Sequence, residues 1–477
     1  MVKLLLENGA NITAANNAGW TPVNAASSNG HVEVVKLLLK NGADITVATD
    51  NGWTPVNMAS SNGHVEVVKL LLENGADITV ATDKGWTPVI AASSNGHIEV
   101  VKLLLENRAN VSVATDDGWT PVNAASFNGH VEMVKLLLEN EADITVASDK
   151  GWTPVITASF NGHVEMVKLL LENRANVSVA TDDGWTPVIA ASSNGHVAMV
   201  KLLLENGANI MVANNAGWTA VNAASFNGHV EIVKLLLENG ADITVASNNG
   251  RTPVNMASFN GHVEVVKLLL ENGVNIMVAN NAGWTPVNAA SSNGHVEIVK
   301  LLLENGADIT VASADGWTPV IAVSFNGQVE MIKLLLENGA NITAANNVGW
   351  TPVNAASFNG HVEMVKLLLE NGADITVASA DGWTPANSAS FNGHIELVKL
   401  LLEVQQHSVE MQAGVGRTLI WWTLRAGNTQ LLQLLVEHAE TVGTRFPDDH
   451  IPDDVVSTSF DREAPWCDAC TLSIQRG

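Results

Sequence analysis

Apolar residues fall into two kinds of tract that alternate along the chain. In the longer kind, His31 to Leu39, the positions Val32, Val34, Val35, Leu37, Leu38 and Leu39 spread over more than one face of a helix. A helix that is apolar on more than one side is held between neighbours. Glu33 and Lys36 are left for solvent and stand three apart, the spacing at which a Glu and a Lys pair on a helix. The shorter tract runs through Val23, Ala25 and Ala26, whose small side chains allow close packing. It starts at Thr21-Pro22, where the hydroxyl caps free N–H groups and Pro fits the first turn. Asn29-Gly30 ends the short helix and Asn41-Gly42 the long one, with Gly supplying a left-handed terminus. Ala43 to Asn51 is then a turn-rich connection.

This grammar repeats every 33 residues. A Gly-x-Thr frame recurs without slippage at Gly19, Gly52, Gly85, Gly118, Gly151, Gly184, Gly217, Gly250, Gly283, Gly316, Gly349 and Gly382. It reads Gly-Trp-Thr-Pro in all but two copies, where Ala220 replaces Pro and Arg251 replaces Trp. Such strict periodicity predicts stacked repeats, each burying its apolar face only against its neighbours. A chain of 477 residues is then one growing array rather than several cores. Met1 to Trp20 reads almost letter for letter like Met199 to Trp218, so the chain is expected to open midway through a repeat.

The pattern resembles the ankyrin repeat over residues 1–404. Thr21-Pro22-Val23-Asn24-Ala25-Ala26, then Asn29-Gly30-His31 and Val35-Lys36-Leu37-Leu38-Leu39, and then Asn41-Gly42-Ala43-Asp44 carry the likeness. The resemblance implies an all-α solenoid of about 12 full repeats, each a helix-turn-helix plus a projecting β-hairpin loop, stacked into a curved array with a concave binding face. The Gly-Trp-Thr-Pro signature is similar to that of long fungal ankyrin proteins. Two departures bear on stacking. The His expected after Thr-Pro-hydrophobic is Asn (Asn24, Asn57, Asn123) or Ile (Ile90, Ile156, Ile189, Ile321). Either the bonds that this His makes between repeats are lost or Asn makes a substitute set. The Asp expected three residues before the Gly is Asn16, Thr49 or Ser148, which can still bond the turn backbone. Arg108, Glu141 and Arg174 stand where other repeats end the long helix with Gly, and mark the weakest joints.

Residues 405–440 map onto a degenerate terminal repeat: one residue is inserted, Pro is lost and Trp421-Trp422 adds bulk. Residues 441–477 read as an acidic linker ending in Cys467-Asp468-Ala469-Cys470, which resembles the opening of a ZZ-type zinc finger. Two cysteines supply half of a structural zinc site, so zinc binding would need further ligands beyond Gly477. A tail with two free thiols is the other reading. No other cofactor is expected.

Charge narrows the partner class. Lys and Arg number 24 against 49 Asp and Glu, a balance unsuited to nucleic acid or an anionic membrane. No apolar run is long enough to span a membrane or to act as a signal peptide. Cysteine is absent from the array, which suits an intracellular protein, most simply cytoplasmic and monomeric.

No catalytic constellation emerges, because Asp, Glu, Ser and His recur at scaffold positions and near-identical repeats dilute any special site. The His row that begins His31, His64, His97, His130 is expected to mark helix starts rather than metal ligands. Equivalent positions on packed helices lie about 8–10 Å apart, too far to converge on one ion.

Two positions vary among the repeats. One is the loop tip, including Lys84 and Lys150. The other, near the end of the short helix, is Ser in some repeats and Phe in others: Phe127, Phe160, Phe226, Phe259, Phe325, Phe358 and Phe391. The family resemblance places both on the concave side, with Trp119, Trp152, Trp218, Trp317 and Trp350 beside them. Two readings of the aromatics stay open: anchors for a protein partner, or packing between repeats. The sequence is read as a non-enzymatic protein-interaction scaffold. A sensor segment of a larger signalling or enzymatic protein is the alternative.

Overall fold

The computed structural model describes residues 2–405 and 419–442. Among the described residues the secondary structure is helical throughout. The described residues divide into two compact bodies, 2–224 with 231–242, and 225–230 with 243–405 and 419–442. Within each body short and long helices alternate. Short helices pack on short ones of the next repeat, and long on long.

The short helices begin as the sequence dictates. In Pro55–Ser61, Pro occupies the first turn and Thr54 the extended N-cap. Val56, Met58 and Ala59 are buried against neighbours. The long helices carry most of the core. In Ile98–Glu106, Val100, Val101 and Leu104 are fully buried, each worth roughly 1.5–3 kcal/mol of apolar transfer. Glu99 and Lys102 pair on the solvent side at 2.7 Å, as do Glu33 and Lys36 at 2.8 Å. The long helix ends in a left-handed residue even without glycine: φ is 66° at Arg108, 64° at Glu141 and 69° at Arg174.

The expected β-hairpin is replaced by a closed turn. Thr49 N–H donates to the Trp53 carbonyl at 3.0 Å, and Gly52 N–H to the Thr49 carbonyl at 2.8 Å. Successive turns are joined by a single backbone bond per step, such as Asp83 N–H to Asn51 O and Asp116 N–H to Lys84 O, both 3.2 Å. One bond per repeat links the tips but is too sparse to make a sheet ladder. No strand occurs among the described residues. The polar residue three before the Gly closes the turn: Trp53 N–H donates to Thr49 Oγ1 at 3.2 Å, and Trp20 N–H to Asn16 Oδ1 at 3.0 Å.

Beyond Gln405, the helices Leu419–Arg425 and Thr429–Val442 form a further pair. It packs on Pro385–Phe391, with the Trp422 ring 4.0 Å from that of Trp383.

Candidate partner-binding face

Each variable Phe lies at the C-terminal end of a short helix, eight residues after the Trp of the same repeat, except Phe259, which stands eight residues after Arg251. That spacing brings the Trp of the turn beside the helix end. Trp119–Phe127, Trp152–Phe160 and Trp317–Phe325 meet edge to face, each with centroids 5.5 Å apart. Trp350–Phe358 is tilted at 5.0 Å, and Phe358 stacks on Phe325 at 6.3 Å. Such pairs contribute about 0.5–1.5 kcal/mol beyond area burial. Phe127 remains 41% exposed, and Phe160, Phe226, Phe259, Phe325, Phe358 and Phe391 are half-buried. The Trp residues divide. Trp119, Trp152 and Trp218 are half-buried, whereas Trp317 and Trp350 are only 3% and 8% exposed and serve mainly as backing for their Phe.

The same helix end is tied to the following repeat through its backbone. A helix leaves its last carbonyls without intrahelical partners. The Phe127 carbonyl accepts from Asn161 Nδ2 and from His163 Nε2, both at 3.0 Å. In a Ser repeat, the Ser61 carbonyl accepts from Asn95 Nδ2 at 2.9 Å and His97 Nε2 at 3.0 Å. A carbonyl can only accept, so the imidazole Nε2 carries the proton. The repeated His is therefore a strut to the previous repeat. It makes no side-chain cap on its own helix. Gln328 does the same work in its repeat, donating to the Ser292 carbonyl at 2.9 Å. This role was beyond the sequence reading, because the bond spans 36 residues while the local context shows only a helix start.

Asn in place of the expected His builds a second tie. Asn57 Nδ2 donates to Val80 O at 3.2 Å and Trp86 O at 3.0 Å, holding the next turn, while its Oδ1 accepts from the Thr54 hydroxyl. The substitute set is thus made. In the Ile repeats this amide tie is absent, and in three of them the buried hydroxyl, of Thr87, Thr153 or Thr318, has no partner.

At the tips, Lys84 and Lys150 are exposed, and their carbonyls receive Asp116 N–H at 3.2 Å and Asp182 N–H at 3.1 Å. Arg251 is a site residue that its replacement of the repeated Trp could have signalled. Its guanidinium lies 4.8 Å over the Phe259 ring, and burial holds it below the usual guanidinium pKa. Cys467 and Cys470 lie outside the described residues.

Family models described as ankyrin repeats match successive stretches from 1–82 to 311–379, and a second ankyrin model matches 360–402. The chain belongs to the ankyrin-repeat family. Ankyrin repeats are generally protein–protein interaction modules, and the matched models describe no catalytic family. A comparison with curated proteins found no match. This ankyrin array departs from a purely apolar spine: Ser60, Ser93 and Ser192 are fully buried with no partner for Oγ, whereas the equivalent Ser126 donates to Met166 Sδ at 3.8 Å. Among the described residues of the array, no group of His, Cys, Asp and Glu is arranged to hold a metal, and no helix is long and apolar enough to cross a membrane.

Proposed function

We propose that this ankyrin array is a non-enzymatic scaffold that captures protein partners along the row of Phe-bearing helix ends and loop tips. The observation that carries this reading is the incomplete burial of the Phe rings. A ring already supported by Trp on one edge, yet open to solvent, is a rigid anchor of the kind that dominates interface energies. The loop tips set the charge around it, and their acidity favours neutral or basic protein surfaces over nucleic acid or lipid. The scaffold acts as a monomer inside the cell, most simply in the cytoplasm.

The test replaces Phe226, Phe259, Phe325 and Phe358 with Ser, the residue that Ser28, Ser61 and Ser94 already place there. A partner isolated with the parent chain should bind at least about thirtyfold more weakly, the effect of losing roughly 2 kcal/mol of anchoring. The thermal midpoint should fall only a few degrees. Unchanged capture, or collapse of the fold, overturns the proposal in favour of simple packing between repeats.

A further inference from the structure

In the first two repeats of the array the Phe position is Ser28 and Ser61, and the structure there is open. A recess of about 270 Å³ lies between Trp20 and Trp53, with Met58 adding an apolar wall and Ser28 and Ser61 at the places where Phe would be. Trp20 and Ser28 have the same eight-residue spacing as Trp119 and Phe127, whose rings meet at 5.5 Å. The repeated position therefore occurs in two states, filled by the chain's own ring at Phe127 and open at Ser28. We propose that the Trp20–Trp53 recess receives an aromatic side chain from a basic peptide segment of a partner, which takes the place that Phe127 fills internally. This deepens the scaffold reading and rests on it.

Three observations support the occupant. Trp20, Trp53 and the Met58 thioether supply the apolar part of the lining, which favours an aromatic ring, and Thr49, Asn51 and Asn62 supply a polar rim. The floor is fixed beforehand: the Ser28 carbonyl is bonded by His64 Nε2 at 3.0 Å, and Asn62 Nδ2 reaches Ser28 Oγ at 3.3 Å. A fixed floor lowers the ordering cost of binding. The adjacent tips carry exposed Asp50 and Asp83, so the residues flanking the aromatic are Lys or Arg.

Calorimetric titration of the full chain would use two synthetic pentapeptides. One has phenylalanine between two lysine–arginine pairs, and the other has alanine at that place. The phenylalanine peptide should bind about tenfold or more tightly than its alanine counterpart. Combining Ser28→Phe with Ser61→Phe fills the recess with the residue that other repeats use, and should bring the two peptides to equal affinity. Trp20→Leu should act in the same direction and guards against misfolding of the filled variant. Equal affinity of the two peptides for the parent chain overturns the proposal, as does a preference that survives filling. If these results leave the recess without a role while replacement of the Phe row still abolishes partner capture, the recess falls and the scaffold reading stands.

Discussion

The imidazole of His97 lies against Gly63 so closely that a Cβ on the glycine would come 2.5 Å from His97 Nδ1. Gly75, in an Asn-Gly pair of identical appearance, faces open space. Both have positive φ, 76° and 83°, so both favour glycine for the same backbone reason. They differ in what a side chain would strike. Gly75→Ala should cost about 1 kcal/mol, the left-handed term alone. Gly63→Ala should cost about 2–3 kcal/mol, because the displaced His97 also loses its bond to Ser61. Urea unfolding of the two variants measures the difference, and equal losses would refute the steric account.

Arg108, Glu141 and Arg174 already occupy the open kind of site, which is why the array tolerates them. Each still holds an unfavourable φ. Replacing all three with Gly should stabilise the first compact body by about 3 kcal/mol in sum. A lower urea midpoint would mean that their side chains make contacts that outweigh the backbone relief.

Asn57 offers a graded test of the tie between repeats. Asn57→Ala removes the acceptor of the Thr54 hydroxyl proton and leaves the Val80 and Trp86 carbonyls without this donor, at a cost of about 3 kcal/mol. Asn57→Ile loses the same bonds but refills the space, as the fully buried Ile90 does naturally. Its cost should be clearly smaller, since apolar burial returns roughly 1.5–3 kcal/mol. Equal destabilisation would show that the hydrogen bonds alone hold the turn.

Acid should loosen the array through its turns. Asp44, Asp77 and Asp143 have pKa values below the usual carboxylate value, first because the Thr two residues on donates its hydroxyl and then because it donates its backbone N–H. A lowered folded-state pKa adds stability above the unfolded value of about 3.9, and that stability is lost as pH falls through the folded value. The urea midpoint should hold from pH 7 to 5 and drop below about 4. Asp44→Asn with Asp77→Asn should reduce the drop, because Asn110 accepts from Ser112 N–H at 2.8 Å without titrating. An unchanged acid slope would remove these turns as its source.

What could be read from the sequence was local. Thr-Pro starts, Asn-Gly stops, the left-handed Arg108 and the Glu33–Lys36 pair each depend on residues within a few positions, so pattern alone exposes them. The reach of His64 to the Ser28 carbonyl was hidden because it depends on the distance between stacked helices. The turn that replaced the expected hairpin is similar: a strand requires a ladder with the next repeat, and only packing reveals that the tips meet through one backbone bond. The candidate face was half legible. The Phe–Ser alternation located it, but the deep burial of Trp317 and Trp350, as opposed to the openness at Trp20 and Trp53, follows from neighbouring repeats whose local sequence is nearly the same.

The carbonyl at the end of a short helix is completed by a side chain 36 residues further on, as His64 does for Ser28, and in several repeats by one 34 residues on as well, as Asn161 and His163 do for Phe127. For this carbonyl, unlike the forward tie of Asn57 to Val80 and Trp86, the dependence runs from the earlier repeat to the later one, which gives the array a polarity in time. As the chain leaves the ribosome, the newest repeat always awaits donors not yet synthesised, and each arriving His completes the repeat before it. Maturation of the stack therefore trails synthesis by one repeat, like a zip whose slider follows the growing end.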